Sequence, residues 1–439
     1  MKILPYFLWN NPSSLLKMHI LYHSSKKQHA PWTSKNSATK VLLVYLLCLP
    51  FSDNIYAVEL LDNVQVHGFA SQAMIFTSGN NMFGPSISNP SFAFTELGIN
   101  GSWSPLPKLR LSMQVLSRRA GDWHNGSPVI DFGLIDYSFD FKNDYKLGIR
   151  AGRVRLPYGL YNDTRDVAFT RPSILLPQSI YFEGTRDVTI SADGLMVYGE
   201  SRKPWGNLTL ELFGGYPRSD DKEAQYSFLF EQLPGRLEPN PSFSGRLNYE
   251  TYDGSLRLAL SGVYTSSRYK SKYPLYNYEP LGGTISFAPM ILSAQYNTEK
   301  WTFTSEYSLN FFQRSGLGIN QFGINRDFTY FGQSYYFQAA YRFAPQWELM
   351  ARYDVMYPNS NDENGNKFEQ KWQAMGIPAY TQFAKNWTVG LRYDITPWMM
   401  VRAEYDYING TSWISNEANI DRLPEQHWDM FGFLVSLRF

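Results

Sequence analysis

The segment Trp428-Asp-Met-Phe-Gly-Phe-Leu-Val-Ser-Leu-Arg-Phe439 decides the fold class. Every second residue from Phe431 to Phe439 is apolar, and the residues between them include Gly432, Ser436 and Arg438. A period of two marks a β-strand, because successive side chains of a strand point to opposite faces. The segment therefore predicts a strand with one apolar face and one mixed face.

The same alternation returns in several earlier segments. In 399–408, apolar and Tyr side chains on one face alternate with Arg402, Glu404 and Asp406 on the other. The apolar faces are rich in Trp, Tyr and Phe at their ends, as a barrel requires at the two membrane interfaces. Charges at this density would be too costly in a dry core, so the opposite face is expected to line water. The pattern predicts an all-β fold, a transmembrane antiparallel β-barrel.

Short turns alternate with longer polar segments, as periplasmic turns alternate with external loops in bacterial barrels. Pairing each short turn with its flanking strands gives about 16 strands, of which 285–296 is the least regular because Pro289 interrupts it. A barrel of roughly 16 strands encloses a channel, whereas one of about eight is filled by side chains. The strands are predicted near 64–76, 94–103, 108–117, 129–141, 145–153, 191–200, 207–215, 242–251, 255–264, 285–296, 301–311, 332–343, 347–357, 386–395, 399–408 and 428–439.

Composition excludes other classes of protein. The 439 residues are 17% aromatic and 18% charged. The mean hydropathy is −0.35, and no window approaches the run of about 20 apolar residues that a spanning helix needs. A bundle of membrane helices is therefore excluded. The 40 basic residues against 39 acidic ones exclude a strongly basic nucleic-acid binder, so nucleic acid is not an expected partner.

Residues 1–57 are predicted to be a signal peptide. The apolar run Val41–Phe51 follows Lys40 and is too short to span a bilayer, and Ala57 offers a small residue for cleavage. The first 39 residues are long for a leader, so Met18 or a later residue is an alternative start. A buried strand or an N-terminal anchor is the other reading. Removal of the leader would leave a barrel domain of residues 58–439, with 34 basic and 38 acidic residues and no cysteine, because Cys48 lies in the leader.

The segment 154–190 is the longest connection and the third external one if the N-terminus lies in the periplasm. Its prolines and apolar residues are unusual for a solvated loop tip, so it could pack against an interior wall. Facing basic and acidic groups would then create a transverse field in a constriction. The alternative is that the charges pair with each other and only hold the shape of the loop. The predicted constriction residues are Arg153, Arg155, Asp163, Arg165, Asp166, Arg171, Glu183, Arg186 and Asp187.

The polar strand faces supply a second set of candidates. If these faces line the lumen, their arginines could form a ladder for anions, although acidic residues on the same faces favour a mixed, hydrated lumen. The predicted lumen-lining residues are Arg110, Arg150, Arg246, Arg257, Arg342, Arg352, Arg392, Arg402 and Glu404.

Catalytic and metal chemistry has little support. His67, His124 and His427 are dispersed, and none stands beside a nucleophile motif or in a metal-ligand spacing. Asp131 and Asp136 are predicted on opposite faces of their strand, which excludes a paired-acid site. The sequence has no phosphate loop and no dinucleotide fingerprint. We therefore expect no metal, no cofactor and no enzyme.

The chain resembles a Gram-negative outer-membrane porin, through its alternating strands, its leader and its terminal Phe439. More narrowly, His67-Gly-Phe-Ala-Ser71, Gln114-Val-Leu-Ser-Arg-Arg-Ala-Gly121 and Leu160-Tyr-Asn-Asp-Thr-Arg-Asp166 resemble a porin-like family of proteobacteria without an assigned substrate. The resemblance implies a third loop folded into the channel, homotrimers, and recognition of Phe439 by the barrel-assembly machinery. The loop 154–190 departs from the general porins, because it lacks their acidic motif.

The expected function is an outer-membrane channel for passive diffusion of small hydrophilic solutes and ions. Its partners would be outer-membrane lipids and the solutes themselves. Two other functions stay open. An outer-membrane hydrolase would lose turnover when one of the histidines is replaced, and a non-conducting scaffold or adhesin barrel would show no conductance in a bilayer.

Overall fold

The computed structural model describes residues 58–61, 63–141, 144–218, 225, 228–229, 233, 235–272, 282–318, 325–371, 373, 376–415, 418–419 and 422–439. The predicted signal peptide, residues 1–57, lies outside the described residues. Among the described residues, no helix has the length and apolar character needed to cross a membrane.

The described chain is dominated by strands. Its helices are short, and they lie in the connections between strands. The strands are β1 (Val58–Leu61), β2 (Val64–Thr77), β3 (Ser91–Leu106), β4 (Leu109–Ala120), β5 (Asn125–Phe141), β6 (Tyr145–Arg155), β7 (Ser191–Lys203), β8 (Gly206–Pro217), β9 (Gly235–Pro239), β10 (Ser242–Glu250), β11 (Leu256–Ser271), β12 (Gly282–Asn297), β13 (Trp301–Ser315), β14 (Phe328–Ala344), β15 (Trp347–Tyr357), β16 (Ala384–Thr396), β17 (Met399–Gly410) and β18 (His427–Arg438).

Sixteen of these strands form a closed antiparallel barrel. Each pairs with the next along the chain, β8 pairs with β10, and β18 pairs with β2 to close the sheet. Strand β9 continues the line of β10 beyond a break at 240–241, since both pair with β11. Strand β1 is a short addition to β2. The predicted all-β barrel of about 16 strands is therefore confirmed.

Pro289 lies inside a regular strand, although it makes the predicted strand 285–296 the least regular one. It pairs with Asn310 of β13, whereas the ladder between β12 and β11 skips positions 288–289 without a change of register. Proline has no N–H to donate, so a gap in one ladder accommodates it. The strand runs from Gly282 to Asn297.

The outer face of the barrel is apolar. Leu97, Ile99, Met113, Leu195 and Leu212 are among its exposed side chains, and they alternate along their strands with inward residues. Aromatic rings flank this band near both ends of the strands, as at the membrane interfaces of transmembrane barrels. A closed barrel leaves no unpaired sheet edge in lipid. The barrel therefore spans a membrane with lipid against this band.

The seam of the barrel joins β18 to β2. Beyond the end of β18, the N–H of Phe439 donates to the carbonyl of Gly68 at 3.0 Å, and the N–H of Gly68 donates to the carbonyl of Phe439 at 3.1 Å. The ring of Phe439 covers Gly68, where an added Cβ would come within 2.4 Å of it. The absence of a side chain at Gly68 therefore leaves the space that the terminal ring occupies.

Candidate functional site

The connection 156–190 between β6 and β7, called loop 3 from here on, lies inside the barrel. Among its residues only Asp163, Thr164 and Thr170 are exposed. It contacts the inner faces of β3–β5, of β7 and β8, and of β10–β17. Because it touches the wall on so many sides, loop 3 fills much of the cross-section of the lumen.

Side-chain ion pairs join loop 3 to the wall formed by β3–β5, called the anchor wall. Arg171 of the loop contacts Glu96 of β3 at 2.7 Å. Arg118 of β4 bridges Glu96 at 3.2 Å and the loop's Glu183 at 2.9 Å. All four side chains are buried. Buried pairs of this kind are costly to break, because each broken pair leaves an uncompensated charge.

Asp131 of β5 completes the anchor wall through Arg155, which also contacts Asp166 of the loop. A β-bulge at Asp131 inserts one extra residue opposite β4 and turns its carboxylate inward. The prediction that Asp131 and Asp136 lie on opposite faces is therefore wrong. The two acids still form separate contacts, since Asp136 pairs with Arg150 at 3.1 Å.

Different chemistry holds loop 3 to the wall formed by β15–β17, called the arginine wall. Arg402 of β17 donates from Nη1 to the carbonyl of Ser173 and from Nη2 to the carbonyl of Arg171, both at 2.9 Å. Arg392 of β16 donates to the carbonyl of Phe169 at 3.2 Å. These guanidinium groups bind main-chain oxygens instead of carboxylates of the loop.

The arginine wall also binds the next residues of the loop. Arg352 of β15 donates to the carbonyl of Leu175 at 3.2 Å. The N–H of Ile174 donates to Oε2 of Glu404 at 2.7 Å. Both charged side chains are buried, with 2% and 4% of their surface exposed. The wall therefore offers donors and an acceptor to one stretch of backbone.

Glu306 of β13 forms a third contact. Its carboxylate accepts the N–H of Leu160 at 3.0 Å and the hydroxyls of Tyr181, Ser293 and Tyr336 at 2.8, 2.7 and 2.9 Å. Two of these donors belong to loop 3, one near its beginning and one near its end. Neutral donors thus tie both parts of the loop to one buried acid.

Charges inside loop 3 also pair with each other. Asp166 contacts Arg186 at 2.5 Å, and Arg165 contacts Glu183 at 3.4 Å. Burial acts to raise the pKa of Glu183, but the charges of Arg118, Arg165 and Arg186 outweigh it and hold the pKa at about 2. Glu183 is therefore held as a carboxylate.

The predicted constriction set divides into three groups. Arg155, Arg165, Asp166, Arg171, Glu183 and Arg186 are buried or half-buried ion-pair partners, and Asp187 is half-buried. Asp163 is 43% exposed and contacts Arg246 of β10 at 2.8 Å. The placement of Arg153 in the constriction is wrong. It points to the outer face, where its guanidinium contacts Asp193 at 2.7 Å, in step with the exposed Leu147 and Ile149. The alternative, in which the charges hold the loop, describes the buried group.

The nine predicted lumen-lining residues all lie on the inner face of their strands. Arg110 is exposed, and Arg150, Arg257, Arg342 and Arg392 are half-buried, whereas loop 3 covers the others. Their role in permeation stays a prediction. The buried members are Arg246, Arg352, Arg402 and Glu404.

Some inner side chains beside β5–β10 stay partly accessible to solvent. Arg150 contacts Asp136 at 3.1 Å and Glu211 at 3.6 Å, and its side chain is 29% exposed. Arg246 joins Glu211 to the exposed Asp163. Asp136 and Glu211 are not among the site residues predicted from the sequence. The alternation of residues along β5 and β8 places both on the inner face and could have identified them.

The three histidines among the described residues, out of six in the sequence, lie apart. His67 is exposed on β2, and His427 stacks on Tyr407. His124 is half-buried in the turn between β4 and β5, where partial burial, followed by the charges of Arg118 and Arg186, keeps its pKa well below the usual value. Within the described ranges, no group of three His, Cys, Asp or Glu side chains could hold a metal ion.

Solved structures of outer-membrane proteins share this fold. An outer-membrane expressed OmpT of Vibrio cholerae is 11% identical, with 88% of this chain and 100% of that chain covered and a TM-score of 0.53. The outer-membrane channel DcaP of Acinetobacter baumannii is 10% identical, with 88% and 99% covered and a TM-score of 0.52. OmpF of Salmonella typhi, solved with daunomycin, is 12% identical, with 88% and 100% covered and a TM-score of 0.51.

These similarities confirm the resemblance to porins at the level of the fold. No protein-family model matches the sequence, and no curated protein is significantly similar to it. The narrower resemblance to a porin-like family of proteobacteria stays a prediction.

Proposed function

We propose that this chain is an outer-membrane channel through which small hydrophilic solutes and ions diffuse passively, with loop 3 as its gate. The observation that carries the proposal is a closed barrel of 16 strands whose inner face is charged and whose longest described connection lies inside the lumen. A barrel built only as a scaffold would gain nothing from so many buried charges, which are costly to desolvate.

The route for solutes is expected between loop 3 and the β5–β10 side of the barrel. Arg150 and Asp136 are half-buried there. Ion pairs through Glu211 and Arg246 connect Arg150 to the exposed Asp163 of the loop. Both signs of charge border this route, so we expect modest ion selectivity. The neighbouring Tyr198 donates its hydroxyl to Asp136 at 2.9 Å and narrows the same region.

The test is single-channel conductance in a planar bilayer. Deletion of residues 160–185 should raise the conductance step, because loop 3 then no longer fills the lumen. The control is deletion of the helix Asn366–Lys371, which has no buried residue and lies in another connection. An unchanged step in the loop-3 deletion would contradict the gate. No conductance from folded wild-type or deleted protein would contradict the channel and favour a scaffold.

We also propose that the barrel forms homotrimers through the outer face of β3–β7. A groove of about 760 Å³ lies there, with Gly101, Gly133 and Gly152 beside Trp103 and Met113. Glycines flatten the wall, so a second barrel could approach closely. The mass of the detergent-solubilised protein measures the state, and Gly133→Trp should shift it toward the monomer. A monomeric wild type would contradict the proposal.

Insertion is proposed to depend on the barrel-assembly machinery and on Phe439. Phe439→Ala should lower the amount of folded barrel in the membrane. Gly68→Ala adds a Cβ to the space that the same ring occupies, while the residue Phe439 itself is unchanged. If only Phe439→Ala impairs insertion, recognition of the residue matters more than its packing.

A further inference from the structure

Loop 3 presents a series of main-chain carbonyls to the arginine wall. The carbonyls of Phe169, Arg171, Ser173 and Leu175 all accept hydrogen bonds from arginines of this wall. These are every second residue of the segment 169–175, which begins in the 3-10 turn Ala168–Thr170 and continues with extended backbone at Arg171. Alternate carbonyls of the segment therefore face one surface, as they do in an extended peptide.

The charges of the wall are arranged differently from those of the anchor wall. Within the described residues, Arg352 and Arg402 form no salt bridge, and each uses its guanidinium on loop oxygens. Glu404, Asp406 and Asp354 are buried on the same wall. Arg392 of the same wall pairs with Asp394 at 2.7 Å. The wall therefore carries charges of both signs, a mixture that suits a ligand carrying both signs of charge.

We propose that the arginine wall is a binding site for short peptides, and that the segment 169–175 occupies it as a built-in ligand until a solute replaces it. The inference rests on the proposed channel function, because the lumen is the route by which a peptide reaches the wall. It adds short peptides as a class of substrate, and it adds displacement of the segment 169–175 as the way in which the channel opens.

The chemistry of the wall matches a peptide group by group. Guanidinium groups donate to carbonyl oxygens and, with greater strength, to a terminal carboxylate. Glu404 accepts an N–H in the present structure and would accept a terminal ammonium in the same way. Residues 169–175 would span roughly 20 Å if fully extended, so a tripeptide fits within this length. A simple anion satisfies the arginines but leaves Glu404 without a donor.

The first test measures ion current through wild-type channels in a planar bilayer with trialanine, with N-acetyl-trialanine amide, or with acetate. Trialanine should change the current at concentrations at which the other two have no effect. Arg402→Gln should raise the half-maximal trialanine concentration at least about tenfold, because two charge-assisted hydrogen bonds are lost. Arg202→Gln is the control, since Arg202 contacts Glu200 on the far wall. Equal effects of trialanine and acetate, or an unaltered Arg402→Gln response, would overturn the inference.

A second variant tests displacement of the loop without removing a charge. An added Cβ at Gly432 would lie 2.9 Å from Cδ1 of Ile174. The pair Ile174→Cys and Gly432→Cys is therefore close enough to test for a disulfide, whose formation a count of free thiols after oxidation verifies. The only natural cysteine is Cys48, which belongs to the predicted signal peptide, and Ile174→Cys alone is the control. The oxidised pair should abolish the response to trialanine, and reduction should restore it. A response that survives oxidation would contradict displacement of the loop.

Failure of the inference and failure of the channel can be told apart. If the wild type conducts but does not respond to trialanine, the channel stands and the peptide site is wrong. If no form conducts, equilibrium dialysis of trialanine against detergent-solubilised wild type and Arg402→Gln measures the site directly. Equal retention of trialanine by both proteins would overturn the peptide site.

Discussion

The two walls that hold loop 3 use the same residue types in different ways. On the anchor wall, Glu96 forms ion pairs with two arginine side chains, Arg118 of the wall and Arg171 of the loop. On the arginine wall, Arg402 binds two main-chain carbonyls and Glu404 binds one main-chain N–H. One wall binds charged side chains of the loop, and the other binds mainly its backbone, together with the hydroxyl of Ser173.

This difference separates a fixed attachment from a replaceable one. An ion pair such as Arg171–Glu96 cannot be copied by an arbitrary solute, because a broken pair leaves two buried charges. A main-chain hydrogen bond can be copied by another peptide, whose terminal carboxylate and ammonium can take the places of a loop carbonyl and N–H. Loop 3 is therefore expected to stay attached at the anchor wall when it leaves the arginine wall.

The largest expected effect compares two buried glutamates. Glu96→Gln should lower the free energy of unfolding by about 3–5 kcal/mol, because Arg118 and Arg171 both lose their buried partner. Glu404→Gln should cost about 1 kcal/mol, since the amide oxygen still accepts the N–H of Ile174. Urea unfolding in lipid vesicles, followed by tryptophan fluorescence, measures both. Equal losses would remove the distinction between the walls.

The second prediction concerns pH. The pKa of Glu183 lies at about 2 in the folded protein against an ordinary 4.5, so its carboxylate stabilises the fold above pH 4.5 and loses this effect as pH falls toward 2. The shift corresponds to about 3 kcal/mol. Wild type should therefore exceed Glu183→Gln in stability at pH 7, and the difference should shrink below pH 4.5. A difference that stays constant to pH 2.5 would contradict the ion-pair account.

The third prediction compares two neighbouring aspartates of loop 3. Asp166→Asn should cost about 2 kcal/mol, because the buried carboxylate pairs with Arg155 and Arg186. Asp163→Asn should alter stability by no more than about 0.5 kcal/mol and should shift the reversal potential in a salt gradient toward anions, because Asp163 borders the water-accessible side. A larger shift of the reversal potential in Asp166→Asn than in Asp163→Asn would contradict an ion route that passes Asp163.

The strands could be predicted from the sequence because a period of two is a local signal. The alternation correctly placed Arg402 and Glu404 on the inner face. It also indicated that Arg153 lies on the outer face, but its position at the base of loop 3 suggested a role in the constriction, and the structure places it outside. The alternation of faces gave the wrong result at Asp131, because a β-bulge adds one residue there and exchanges the inward and outward positions on its two sides.

The partners of these side chains could not be predicted. Nothing in the sequence around Arg402 indicates that its acceptors are the carbonyls of residues more than 200 positions away. Main-chain carbonyls carry no residue identity, so no pattern of residue types reveals which of them a guanidinium will meet. The burial of loop 3 follows from such long-range contacts and therefore required the structure.

The seam between β2 and β18 imposes an order on folding. The hydroxyl oxygens of Ser71 and Ser436 lie 2.8 Å apart although 365 positions separate them along the chain. Contacts at such a separation form slowly, because a long loop must close before they contribute any stability. Until they form, β2 and β18 present two unpaired edges to any other chain nearby. The hazard of aggregation should therefore be concentrated in the interval between hairpin formation and closure.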